Sequence, residues 1–409
     1  MTSASATRSS ASTRAARSSS GRSEVSDQVA GEARGQNTRL SDVVAVELGE
    51  GLAAAYCGRW LRLHGATVIK VEDATTGGDR LRREDLTPDG WRRSERRSMF
   101  AALHAGKENV SLDYGSDEGQ SELHDQIFRA DVVISSFTRD ELLERGLHEA
   151  LFDLPGDRVA VSCTPFGLDG PYADYQATDE VLLAYGGSMS TLGQSKGPPR
   201  HVRVPMADFV GGVFGFQSAL LGLLNPAAGR YFDVSVADCL AANLERVTMF
   251  YSHLGLIHLR GHGMHRHFAG HPGGLYPCKD GYVMVAMAGS PIQMMALLVE
   301  QPELEEHPLF QDRLERHRRP DEFDELILPW FLEHEAEEIV TKAHELRMPF
   351  GYVLRPSELL TDAQLAHRQS LVEVAVPGLD EPARMPGLPY RYREFDAEGV
   401  ALDPLETPQ

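Results

Sequence analysis

Two acids, and the glycine-rich segments around them, are the residues of this chain best suited to chemistry. Asp179 heads an apolar helical pattern (DEVLLAY), and Asp208 heads a second and more strongly apolar one (DFVGGVFGFQSALLGLL). The head of a helix points N–H groups outward and favours negative charge. Two such heads, joined by loops of Gly, Ser, Lys and Pro, suit a cleft floor in an enzyme of mixed α/β type. They suit plain helix caps equally well, because Asp is among the residues that best accept from a helix's first N–H groups. On the residues alone both readings stand.

Three other patterns invite chemistry. Gly49-Glu50-Gly51-Leu52-Ala53-Ala54 matches GxGxxA between a strand pattern and a helix pattern, and Glu72 ends the next strand where a ribose-binding acid would sit. An acidic Glu50 is poorly placed beside a pyrophosphate, however, and no hydride-transfer site follows. The pattern therefore gives a fold unit and leaves the ligand unnamed. Arg80, Arg82, Arg83, Arg92, Arg93, Arg96 and Arg97 crowd one polar stretch with Trp91. It reads either as a solvated loop or as a surface that meets ligand phosphates or a partner subunit. His262, His265, His267 and His271 lie in a Gly-rich loop without HExxH or a cysteine pair. That spacing fits a pH-dependent basic patch and no metal site.

The elements that must position these residues alternate between apolar runs and amphipathic stretches. Strands are expected at 42–48, 67–72, 109–112, 131–135, 159–163 and 231–236, with helices at 52–64, 118–129 and 141–145 between them. That is an α/β protein with an open, mostly parallel sheet. Beyond it come a long helix at 238–258, a hairpin at 275–288 turning at Lys279-Asp280-Gly281, and helices at 291–300, 321–334 and 337–346.

With 409 residues the chain is too long for one ordinary core and suggests two lobes. Residues 1–38 hold scarcely an aliphatic side chain larger than alanine and are expected to be a disordered tail. Arg8, Arg14, Arg17 and Arg22 with no acid among them resemble a transit peptide, but a dispensable tail on a cytoplasmic protein is the preferred expectation. A formal charge of −20 disfavours nucleic acid and anionic membrane as partners, although a local basic patch can still take an anionic ligand. Cys57, Cys163, Cys239 and Cys278 lie far apart and read as reduced core residues. The apolar run 209–224 is short for a membrane span, contains Gln217 and Ser218, and reads as a buried helix of a soluble protein.

Several ordered stretches resemble the class III CoA-transferase family, which also holds carnitine-CoA transferase-like and formyl-CoA transferase proteins and the α-methylacyl-CoA racemases. GLAAAYCGRWLRLHGATVIKVE resembles the family's opening helix and following strand, and GKENVSLDYGSDEG its K-R-S-v-x-L-D stretch. ADVVISSF, FGLDGPYADYQATDEVLLAYGGSMSTLG, GRYFDVSVAD, YPCKDGYV and DAQLAHRQ continue the likeness. The resemblance implies a Rossmann-like large domain from both chain ends (39–225 and 340–409), a smaller α/β domain (226–339), and an interlocked homodimer.

It also implies a transferase that moves coenzyme A from an acyl-CoA to a small carboxylic acid through an aspartyl mixed anhydride and an aspartyl-CoA thioester. Asp179 takes the catalytic place, and a carboxylate is a suitable covalent nucleophile there. Gly273 and Gly274 are the nearest match to the family's mobile oxyanion loop. Leu52, Lys70, Lys107 and Arg139 are expected at bound CoA, with Lys196 and the loop histidines as further candidates. CoA is a substrate, and no tightly bound cofactor is expected.

Departures are visible too. The racemase branch needs a His where this chain has Thr178, so its two-base arrangement is broken, and Asp208 is expected to act as a cap. Ala54-Ala55 and Thr138-Arg139-Asp140 replace family residues. Asp73 and Glu108 stand where positive charge is usual. A non-catalytic CoA-binding or scaffold homologue and a racemase are the alternatives.

Overall fold

The computed structural model describes residues 39–83, 99–154, 156–193, 197–225, 230–257, 271–287, 291–375 and 382–391. The expected tail 1–38, Arg92, Arg93, Arg96, Arg97, Lys196, His262, His265 and His267 lie outside them.

Six strands form one all-parallel sheet: β1 (Val44–Leu48), β2 (Thr67–Asp73), β3 (Glu108–Leu112), β4 (Val132–Ser135), β5 (Val159–Thr164) and β6 (Tyr231–Ser235). Their order is β3-β2-β1-β4-β5-β6. Every residue of β4 and β5 is buried, as a parallel sheet covered on both faces requires. Side chains alternate between two cores. Ala45, Ile134 and Val161 face one, and Val46, Val133 and Ala160 face the other.

Helix α1 (Leu52–Leu63) follows β1, and α2 (Asp117–Arg129) precedes β4. The short α3 (Asp179–Tyr185) and the long α4 (Met206–Leu224) lie between β5 and β6. The connections leave β1 and β4 toward opposite sides of the sheet. In this doubly wound order the crevice beyond the carboxyl ends of those two strands is the natural ligand site.

By length and composition α4 passes for a membrane span. Its buried face is instead a row of small residues, Ala207, Gly211, Gly212, Gly215, Ala219 and Gly222, with Phe216. These let α4 press onto α1 and β5 at backbone distance. A Cβ at Gly212 would lie 2.7 Å from the Ala53 carbonyl oxygen and 2.7 Å from Tyr56 Cβ, and one at Gly222 would lie 2.6 Å from each Val159 methyl. Gly212→Val should therefore force the two helices apart. The expected loss is about 1–3 kcal/mol, read as a lower urea midpoint.

The second lobe has its own core. An antiparallel sheet, β7 (Gly273–Pro277), β8 (Tyr282–Ala286) and β9 (Gly351–Tyr352), packs on the helices Pro320–Glu333 and Ala336–Glu345. The hairpin turns where expected, with the Cys278 N–H donating to the Gly281 carbonyl at 3.0 Å. The helix expected over 238–258 is divided in two, Val236–Ala242 and Glu245–Leu254.

Both expected segment boundaries fall inside packed units. β6 belongs to the large sheet although it lies after residue 226. Ile339, Val340 and Ala343 belong to the second core although they flank residue 340. Near the other end, β10 (Leu371–Val374) and β11 (Ala383–Pro386) form an antiparallel pair that touches α1. Arg59 donates to the Pro386 carbonyl at 2.5 Å, and His64 bonds the Tyr390 hydroxyl.

Candidate active site

A cleft of ≈ 520 Å³ opens at the carboxyl ends of the sheet. Its walls are residues 49–53, 70–73, 136–138 and 163–165, which end or follow β1, β2, β4 and β5, together with Thr178, Asp179 and Asp208. The Gly51 N–H donates to Ser136 Oγ at 2.9 Å and ties the two rims of the crevice together.

Asp179 and Asp208 meet in this cleft, but with roles the sequence did not suggest. Asp208, expected as a cap and local acceptor, caps nothing in its own helix but accepts from the Ala53 N–H in the first turn of α1. The cap of α4 is Asp179, whose Oδ1 accepts from the Ala207 N–H at 2.7 Å and the Asp208 N–H at 3.3 Å. One carboxylate thus joins the start of α3 to the first turn of α4. Burial raises the Asp179 carboxyl above its ordinary range, and those two N–H groups pull it back.

Asp208 is the more enclosed acid. Burial, and then the charge of Asp179, push it up to about 6, against the opposing charge of Arg80 and the Ala53 N–H. Burial and the neighbouring Asp179 charge together let Asp208 hold a proton at a pH where an ordinary aspartate would not.

The other expected site residues are only partly gathered. Leu52 and Lys70 line the cleft, whereas Lys107 and Arg139 are not among its lining residues. Lys70 is 1% exposed and its charge is already matched: Nζ bonds the Gly49 carbonyl and lies 3.2 Å from Glu47 Oε1 and 3.2 Å from Asp79 Oδ2. Lys107 is buried behind α1, donating to Glu47 Oε2 at 2.6 Å and to the Ala55 carbonyl at 2.8 Å. Arg139 is the exposed first residue of the helix Arg139–Glu144. Gly273 and Gly274 are paired with Ala286 and Val285 in β7–β8 of the second lobe, away from the lining of this cleft.

Glu72, the acid at the ribose position of a dinucleotide site, accepts from the Asp79 N–H at 2.8 Å and pairs with Arg82 at 3.1 Å. Those bonds leave it no free role toward a ribose. Asp73 lines the cleft and caps the turn after β2 by accepting from the Thr75 N–H at 2.9 Å, while Glu108 is exposed on β3. Among the described residues no cluster of His, Cys, Asp or Glu is arranged to hold a metal ion.

Two cleft groups went unnoticed in the sequence. Thr164, 1% exposed at the end of β5, has an Oγ1 without a hydrogen-bond partner among the described residues. Its hydroxyl is free to donate to a ligand oxygen. Arg80 was submerged in the arginine-rich stretch, where nothing distinguished it from its neighbours. Cys163 also lines the cleft, but burial pushes its thiol far above the range of a useful nucleophile.

The chain is similar along most of its length to characterised proteins. It is 29% identical to the succinyl-CoA–D-citramalate CoA-transferase of Chloroflexus aurantiacus, covering 84% of this chain and 85% of that one. It is 27% identical to the succinate–glutarate CoA-transferase of Agrobacterium fabrum, covering 86% and 91%. The crystal structure of a CaiB/BaiF family protein from Brucella suis, 24% identical, matches its fold with a TM-score of 0.76 over 90% of this chain and 94% of that one. The pattern for CoA-transferase family III matches residues 40–405, and with that extent the chain belongs to this family of enzymes.

Proposed function

We propose that the chain transfers CoA between an acyl-CoA and a free carboxylic acid at the Asp179–Asp208 pair. The observation that carries this reading is a desolvated carboxylate, Asp208, raised to about 6 in a cleft at the carboxyl ends of the sheet. The resemblance assigned the covalent role to Asp179. We favour Asp208 for attack, because Asp179 Oδ1 takes two backbone N–H groups and ties α3 to α4, whereas Asp208 meets the single N–H of Ala53 and is the more strongly raised carboxyl. A carboxylate with a raised pKa is the better nucleophile and is still largely ionised at neutral pH.

An Asp208 oxygen attacks the thioester carbonyl, the C–S bond breaks, and CoA leaves as thiolate from a mixed anhydride. The thiolate attacks the aspartyl carbonyl and expels the donor acid as carboxylate, leaving an aspartyl-CoA thioester. The acceptor carboxylate attacks that thioester and expels thiolate again, forming a second anhydride. Thiolate attack on its acyl carbonyl restores Asp208 and gives the new acyl-CoA. The Thr164 hydroxyl is a donor suited to the oxyanions on this route. No side chain other than Asp208 changes its covalent state on this route, so no tightly bound cofactor is required.

A homodimer fits the apolar surface that a single chain leaves in water. Leu221 and Leu224 on α4 are 61% and 82% exposed, and Tyr251 and Leu254 add to that surface. A cytoplasmic location agrees with CoA thioesters as substrates.

The test is transfer against exchange. Protein given an acyl-CoA and a panel of acids should form new acyl-CoA. In D₂O the α-hydrogen of a 2-methylacyl-CoA should exchange negligibly, because Thr178 cannot act as the base a racemase needs. Exchange as fast as transfer would assign the racemase reading, and absence of both reactions would assign the non-catalytic one.

A further inference from the structure

We propose that Arg80 sets the acid specificity of this cleft, and that the acid it receives is a dicarboxylate. The distal carboxylate pairs with the Arg80 guanidinium while the proximal one takes part in transfer. This rests on the transferase reading above and adds the substrate class to it.

Three cations line the cleft, Lys70, Arg80 and Arg145. Lys70 is held by Glu47, Asp79 and the Gly49 carbonyl. The Arg145 guanidinium lies 4.5 Å from the centre of the Phe137 ring and donates to the Glu141 carbonyl at 3.3 Å. Arg80 alone among them forms no hydrogen bond or ion pair with a described residue, and the acid its charge reaches is Asp208.

Its backbone is nevertheless fixed on both sides. On one side the Asp79 N–H donates to Glu72 at 2.8 Å, and the Asp79 carboxylate pairs with Lys70 at 3.2 Å. On the other, the Arg82 N–H donates to the Asp79 carbonyl at 2.8 Å and its side chain pairs with Glu72 at 3.1 Å. The Arg80 side chain is therefore rooted at a fixed point of the cleft wall with its guanidinium exposed, and a carboxylate is the planar, two-point partner that matches its fork.

Arg80 also acts at the reacting end of the cleft, since its charge reaches the Asp208 carboxyl. The phosphates of CoA lie a whole pantetheine arm away from the thioester carbon. A cation beside the attacking carboxylate therefore meets the acyl or acceptor group. Without one, a doubly charged acid would meet only the negative charge of Asp179 and Asp208.

The experiment uses acetyl-CoA as donor and acceptors matched in length, succinate and glutarate against butyrate and valerate. The wild type should prefer the dicarboxylates. In Arg80→Met the ratio of kcat/KM for succinate over butyrate should fall roughly 10- to 100-fold, chiefly through KM, with partial recovery in Arg80→Lys. The Kd of CoA, measured by calorimetry, should not change.

An unchanged ratio would overturn the proposal, and so would weaker CoA binding with both acid classes falling together, the mark of a phosphate contact. If the wild type transfers to neither class, thermal shift with CoA present decides. Stabilisation by succinate in the wild type and not in Arg80→Met upholds the role of Arg80, and equal behaviour of the two overturns it. Failure of the transferase reading is distinct: wild type incubated with acyl-CoA would carry no aspartyl adduct, whatever occupies position 80.

Discussion

Asp208→Asn is expected to remove the covalent acyl adduct and to slow CoA transfer by on the order of 10³-fold or more, the scale of losing a covalent nucleophile. Asp179→Asn should behave differently. An asparagine Oδ1 can still accept from the N–H groups of Ala207 and Asp208, which lie 2.7 and 3.3 Å from the present oxygen. The joint between α3 and α4 then survives, and the adduct still forms on Asp208.

The pH profile supplies an independent sign. Transfer needs ionised Asp208, so the acidic limb of the wild-type rate should centre near pH 6. Burial is the larger cause of that raised value and the charge of Asp179 the next, so Asp179→Asn should move the limb to lower pH. Mass mapping of peptides after incubation with acyl-CoA reads the adduct, and steady-state rates across pH read the limb. An adduct lost in Asp179→Asn and kept in Asp208→Asn would reverse the assignment and return the covalent role to Asp179.

The two acids show where sequence reasoning stops. Asp179 and Asp208 were visible as helix heads, because the apolar runs behind them are long and unbroken. Which acid caps which helix depends on how α3 sits against α4, and periodicity does not encode that. The strands of the sheet were legible to within about two residues for the same reason that β4 and β5 are wholly buried: their apolar runs are continuous. Their spatial order was not legible, so neither was the crevice between β1 and β4.

Gly273 and Gly274 look like loop residues in sequence and turn out to be the first two residues of β7. A strand beginning Gly-Gly has no side chain to announce itself. Lys70 and Lys107, which the resemblance places at bound CoA, are buried in a charge network instead. What redirects them is Glu47, a single acid inside the apolar run DVVAVEL. The register sets Glu47 directly opposite Lys70 on the neighbouring strand, a pairing of two charged residues within two apolar strands. That coincidence was available in the sequence once the β1–β2 pairing was assumed, and it is the one signal that could have found the network.

Glu47→Gln is therefore expected to destabilise the large lobe by about 3–5 kcal/mol, as removing one member of a buried ion pair does. Both its oxygens serve cations: Oε2 lies 2.6 Å from Lys107 Nζ, and Oε1 lies 3.2 Å from Lys70 Nζ. Glutamine keeps the shape but leaves the buried Lys107 ammonium without its carboxylate and Lys70 with Asp79 alone. Burial alone would raise the Glu47 carboxyl, but Lys107 and Lys70 outweigh it and hold it at about 2, below its ordinary 4.5.

A depressed carboxylate stabilises fully above its unfolded pKa and loses that contribution as pH falls through the folded one. The wild type should lose stability between pH 4.5 and about 2 on this account, and Glu47→Gln should lack that part of the acid limb. Urea midpoints at neutral pH and down through that window measure both effects. Adding Lys107→Met should restore part of the loss, because the pair then leaves together. A single variant within about 0.5 kcal/mol of wild type, with an unchanged acid limb, would mean that the two lysines find other partners. Glu47→Gln should also disturb the cleft, since the carboxylate it removes helps fix Lys70 while Nζ holds the Gly49 carbonyl beside Leu52.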